Sequence, residues 1–124
     1  MLDFLPPRAP RVVIDHFGLP AGLAEDADVG FAALLAAATA GNVYAKLSAP
    51  YRFSGVPGRD AGRLLLETLG PDRLMWGSDW PWTLHEDEMT FERARTWPLE
   101  AVDAVDRAAV LGGTAAAVFG FPVI

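Results

Sequence analysis

The 124-residue sequence predicts an α/β fold built on a parallel sheet. Three observations lead there. Short β-branched runs alternate with stretches whose apolar residues recur at helical spacing. The helical stretches end at glycine, and the polar residues that break the pattern cluster at the carboxyl ends of the apolar runs. Strand–helix–strand units of this kind close as right-handed crossovers, which make their strands parallel.

The first strand is Arg11 to Asp15 (RVVID), closing on Asp15-His16. A Gly-, Pro- and acid-rich loop follows from Gly18 to Asp28. Asp28 can then cap a helix whose Phe31, Leu34, Leu35 and Ala38 fall at i, i+3, i+4 and i+7, and Gly41-Asn42 ends it. The second strand is Val43 to Leu47, continued by SAPYRFSGVPG, which carries the turn residues of a long loop. The next helix, Arg59 to Leu69, buries Ala61, Leu64, Leu65 and Leu69 and stops at Gly70-Pro71. The third strand is Arg73 to Gly77. Beyond a Trp80-Pro81 turn, the acids Glu86 to Glu88 predict a solvated loop. A helix is expected from Pro98, a favoured first-turn residue, with Val102, Val105 and Ala109 on one face and a stop at Gly112-Gly113. A short last helix capped by Thr114 runs to Phe119-Gly120.

Composition narrows the function. Hydrophobic residues make up 52% of the chain, which supports a packed core. The net charge is −6 with only ten Lys plus Arg, so no basic face for nucleic acid is expected. The absence of cysteine excludes disulfides, cysteine nucleophiles and thiolate metal sites. No apolar run approaches the roughly 20 residues of a membrane span, and MLDFLPPRAP lacks the pattern of a signal peptide. A soluble cytoplasmic protein that avoids membranes is expected.

In parallel β/α architecture the strand carboxyl ends share one rim, and reactive groups gather there. The first tip carries Asp15 and His16; the second carries Lys46, Ser48, Tyr51 and Arg52; the third carries Ser78 and Asp79. Each has a structural reading as well. His16 could bond a backbone carbonyl, Asp79 could cap its turn, and Lys46 and Arg52 could be surface charges. His85 sits among acids and reads as solvated, while Trp76 and Trp80 read as packing residues. The stretch DRLMWGSDWPW tilts the balance for Asp79. A strand that only packs a core has no use for an ionised carboxylate at its tip.

Taken together, VVIDHFGLP, VYAKLSAPYRFS and DRLMWGSDWPW resemble the carboxyl-terminal part of the amidohydrolase-related family that includes 2-pyrone-4,6-dicarboxylate lactonase and the sugar lactonases. The closing AAVLGGTAAAVFGF is similar to that family's terminal helices. The resemblance implies a partial (β/α)8 TIM barrel, with residues 1–124 forming the carboxyl-terminal part of one barrel domain. These would be the later strands and terminal helices, about half of a full barrel.

The resemblance also assigns roles. Asp79 matches the aspartate that acts as base for the attacking water, or ligates a metal where one is used. His16 matches the histidine beside the reacting carbonyl. Arg52 matches the segment that holds a substrate carboxylate, a job suited to a planar guanidinium, and Tyr51 and Lys46 join it as candidates for the same anionic pocket. Opening a lactone needs a base, a group that polarises the carbonyl and a group that orients the ring, and the substrate that the resemblance implies is a cyclic ester bearing a carboxylate. No metal is certain. A divalent ion such as zinc in the complete enzyme would use Asp79 and His16. A metal-dependent decarboxylase of the same superfamily and a non-catalytic barrel remnant are the competing readings.

Two departures from the family pattern stand out. Trp82 follows Asp-Trp-Pro where many relatives have histidine, and the family's His-x-His pair has no counterpart, since His16 and His85 are the only histidines. A complete barrel needs about 250 residues. The expectation is therefore a partial sequence, with two sheet edges left unpaired. Self-association or a missing amino-terminal half would complete it.

Overall fold

A computed structural model describes residues 10–22 and 29–122. Three parallel strands, β1 (Val12–Ile14), β2 (Val43–Leu47) and β3 (Leu74–Trp76), lie side by side in chain order. Ile14, Ala45 and Leu74 share one level across the sheet, so the last residue of β1 stands level with the first of β3, with β2 between them. This stagger is the shear of a sheet that curls as it grows. Outer strands are shorter than expected, with Arg11, Asp15, Arg73 and Gly77 outside the ladder.

The period-2 alternation of β2 buries Val43, Ala45 and Leu47 on one side and leaves Tyr44 and Lys46 half-buried on the other. Helices cover the buried side. Helix α1 (Val29–Ala37) packs Phe31 into the core with Leu34 and Leu35 beside it, and Gly41 closes the following turn with φ 76°. The expected Asp28 cap lies outside the described residues. Helix α2 (Gly58–Leu69) begins one residue earlier than expected and buries Ala61, Leu65 and Leu69, while Leu64 is half-buried.

Gly62 belongs to the same buried face, and its lack of a side chain is used. A Cβ there would lie 2.8 Å from Ala101 Cβ and 3.2 Å from the Phe17 ring. The turn Trp97–Ala101 therefore sits almost on the α2 backbone. Gly62→Val is expected to lower stability by about 1–3 kcal/mol through overpacking, read as a lower urea midpoint.

Downstream of β3 the structure departs from the sequence reading. Glu86 to Glu88 form the exposed loop that was expected, and a short helix that the sequence reading did not identify, α3 (Phe91–Thr96), follows it, with the Thr90 hydroxyl accepting the Arg93 N–H at 3.2 Å. From Pro98 the chain makes only a 3₁₀ turn, and Val105, expected to be buried, is 85% exposed. The last helix runs over 107–119, passing Gly112-Gly113 as a π-helical stretch (Ala109–Gly113) before α4 (Thr114–Phe119). Thr114 is not a cap. It has helical backbone angles, is buried, and donates its hydroxyl proton to the Pro71 carbonyl at 2.7 Å. Buried Val110 and Thr114 hold this helix on either side of the two glycines, so packing overrides their stop signal. Among the described residues, no helix is long and apolar enough to cross a membrane.

Candidate active site

All three strands deliver polar residues to one rim, and each does so through left-handed backbone at a non-glycine residue. After β1 these are His16 (φ 52°) and Phe17 (φ 58°); after β2, Ala49 (φ 49°); after β3, Asp79 (φ 56°), followed by a cis Trp80-Pro81 bond. The left-handed residues cost about 1–3 kcal/mol each and persist where packing over-determines them. Phe17 shows how. Its side chain is fully buried, edge-on to Phe53 at 5.3 Å, and that anchor holds the turn that presents His16. Gly18 completes the turn at φ 79°, where a Cβ would lie 2.6 Å from Leu34 Cδ2.

Asp79 is the hub. Its Oδ2 accepts the Tyr51 hydroxyl at 2.5 Å and Arg52 Nε at 2.7 Å. Its Oδ1 faces His16 Nε2 at 3.6 Å, beyond hydrogen-bond range. On the far side of the imidazole, Nδ1 lies 2.8 Å from Ser48 Oγ, which also accepts the His16 backbone N–H at 3.3 Å. A pocket of about 310 Å³ opens over these groups, lined by Asp15, His16, Lys46, Ser48, Gly77, Ser78 and Asp79.

The electrostatics follow from the contacts. Burial would push the Asp79 carboxyl up, but the hydrogen bonds from Tyr51 and Arg52, with the Arg52 charge, outweigh it. The group ends below the ordinary carboxylate range. Burial first, then the hydrogen bond and charge of Asp79, push the Tyr51 hydroxyl well above the ordinary tyrosine value, so it stays a donor.

Of the residues singled out in the sequence, His16, Tyr51, Arg52 and Asp79 come together. Lys46 lines the same pocket but is paired with Asp15, Nζ to Oδ1 at 2.9 Å. Tyr51 and Arg52, expected as substrate contacts, both bond Asp79, and Arg52 Nη2 also donates to the Thr83 carbonyl at 3.3 Å. His85, expected in solvent, is half-buried: its ring lies 4.6 Å from the Tyr51 ring and it bonds Glu88. Trp82 returns its indole N–H to the Ser78 carbonyl at 2.9 Å, tying the loop back to the β3 tip. Trp76 packs as expected, on Phe91, whereas Trp80 is 70% exposed.

Comparison with known proteins places this rim in a family. An amidohydrolase family model matches residues 5–121. The chain belongs to the amidohydrolase family. Over 85 residues it is 36% identical to the 4-sulfomuconolactone hydrolase of Rhizobium radiobacter, covering 65% of this chain and 28% of that one. A crystal structure from Pseudomonas putida, named a candidate 2-pyrone-4,6-dicarboxylic acid hydrolase, is 41% identical with TM-score 0.78, covering 92% of this chain and 44% of that one. An amidohydrolase from Burkholderia multivorans with bound zinc is 30% identical with TM-score 0.67, over 92% of this chain and 45% of that one. The chain thus spans about half the length of these solved structures.

The zinc-bound neighbour poses a question that the donor set answers. Among the described residues, no three His, Asp or Glu side chains gather as a metal site. His16 Nε2 and Asp79 Oδ1 offer two donors, while Asp79 Oδ2 is held by a guanidinium cation that opposes a second positive charge. These residues alone do not fit a zinc ion.

Proposed function

We propose that this chain forms part of a lactone hydrolase in which Asp79 is the base for water. The observation that carries this reading is the asymmetry of its carboxylate. Oδ2 is fixed by Tyr51 and Arg52, and Oδ1 is left to face His16 across a 3.6 Å gap at the pocket. That gap is too long for a direct hydrogen bond and suits a ligand oxygen between the two groups. Water loses a proton to Oδ1 as its oxygen bonds the acyl carbon. His16 Nε2–H polarises the carbonyl, the acyl carbon–ring oxygen bond breaks, and the ring oxygen takes the proton. No step passes through a metal.

An anionic substrate fits the surroundings. The relatives' names include a dicarboxylate and a sulfonate-bearing lactone, and Lys46 and Arg52 flank the pocket region. With Nε and Nη2 engaged, Arg52 would reach a substrate carboxylate through Nη1. The staggered parallel strands support a further part of the reading: β1 to β3 are successive strands of a (β/α)8 barrel, residues 1–124 being its carboxyl-terminal part. β1 and β3 each pair on one side among the described residues, so further strands, from the same polypeptide or another copy, would complete the sheet and the pocket wall.

The test is turnover by the full-length protein, followed by proton release, on matched lactones with and without carboxylate substituents. Hydrolysis is expected, fastest for the anionic set. Failure on every lactone would reject the hydrolase reading, and equal rates on both sets would reject the anionic preference.

A further inference from the structure

We infer that Ser48 is the positioning residue of His16, and that Gly77 is glycine to leave room for it. This deepens the proposed function and rests on its reading of His16 as the group beside the reacting carbonyl. Ser48 is 2% exposed, one of two buried polar residues among those described. Its hydroxyl meets His16 twice, accepting the backbone N–H at 3.3 Å and contacting Nδ1 at 2.8 Å.

The proton inventory sets the direction of the second bond. A serine hydroxyl has one proton and two lone pairs, and neutral imidazole carries one N–H. Across the ring, Nε2 faces the Asp79 carboxylate, an acceptor without a proton. A bare Nε2 lone pair there would be repelled, so Nε2 carries the hydrogen and Nδ1 is the acceptor. The Ser48 hydroxyl therefore donates to Nδ1 while receiving the His16 N–H. One nitrogen is pinned from below and the other is aimed at Oδ1, a tautomer in which His16 can donate to a carbonyl oxygen.

Gly77 closes the case from the neighbouring strand tip. A Cβ on Gly77 would lie 3.2 Å from Ser48 Cβ and 3.7 Å from its Oγ. Its backbone N–H donates to the Leu47 carbonyl at 3.3 Å, so it cannot withdraw without breaking that link. The first residue of Gly-Ser-Asp thus serves the tip of β2, and the third serves the pocket. Sequence reading assigned a role to the third alone.

The experiment uses the full-length protein labelled with ¹⁵N-histidine, with the His16 ring signals identified by their loss in His16→Gln. The parent is expected to show a protonated Nε2 and a hydrogen-bonded, unprotonated Nδ1. In Ser48→Ala the Nδ1 signal should move towards its unbonded position, and kcat for lactone hydrolysis should fall by up to about a hundredfold with KM little changed. Ser48→Cys, with a weaker hydrogen-bonding group, should give a smaller change in the same direction. Gly77→Ala, with Ser48 intact but displaced, should also shift the Nδ1 signal, and it covers the case in which the Ser48 variants do not fold. An Nδ1 signal unmoved in the folded variants overturns the assignment, as does a moved signal with unchanged kcat. A moved signal in a protein that hydrolyses no lactone leaves the positioning intact and removes the hydrolase reading instead.

Discussion

Asp79→Asn is expected to lower kcat for lactone hydrolysis by about 10²–10⁴-fold, the usual worth of a positioned general base, while substrate binding changes little. The variant isolates chemistry from fold. Asp79 sits at φ 56°, a region that asparagine occupies more readily than most residues. Its carboxamide oxygen can still accept from Tyr51 and Arg52, so the anchor survives while the basic oxygen facing His16 becomes an NH₂ group. Asp79→Ala would be a poorer probe, because it adds left-handed strain at a β-carbon without hydrogen bonding and strands a guanidinium that is only 25% exposed. The check is steady-state kinetics alongside a melting curve. Full activity in a folded Asp79→Asn protein would dismiss the carboxylate as base.

How much of this was legible beforehand depends on what signal each feature leaves in sequence. The three strands and the first two helices were readable because period 2 and period 3.6 are written directly in Val43–Leu47 and in Ala61, Leu65 and Leu69. The convergence of His16, Arg52 and Asp79 needed only parallel topology, since that alone sends every strand tip to one rim. The region after β3 was misread for a physical reason. Gly112-Gly113 and Pro98 are local signals, and buried neighbours on another element decide whether such signals are obeyed. Thr114 reads as a cap until the Pro71 carbonyl beside it is known. Thr90, with Glu92 two residues on, was a genuine cap signal overlooked beside a run of acids.

The site itself was legible in membership and not in wiring. Sequence can say that Tyr51 and Arg52 reach the rim, but not that the 3₁₀ turn Pro50–Arg52 aims both at Asp79. Lys46 was equally visible, and its pairing with Asp15 was not. Which charges neutralise each other depends on distances of a few ångströms between strands, and no spacing along the chain encodes those.

That wiring gives the second large effect, in Arg52→Met. Losing the guanidinium removes one of the two hydrogen bonds on Oδ2 and the nearest positive charge, while burial, which raises the carboxyl, remains. The Asp79 carboxyl should therefore rise, and the acid limb of the kcat/KM profile should move to higher pH. The stability consequence has a definite sign. A carboxyl held below its unfolded value of about 3.9 stabilises the fold above that pH, and the contribution disappears as pH falls through the folded value. Arg52→Met should thus be less stable than the parent at neutral pH by about 1.5–3 kcal/mol for a lost charge-assisted bond, read as a lower urea midpoint. The difference should shrink towards the acid end. A role confined to gripping substrate would raise KM for anionic lactones and leave the acid limb and the pH-dependence of stability where they were. A profile that shifts with pH assigns Arg52 to Asp79; one that stays fixed returns it to the substrate.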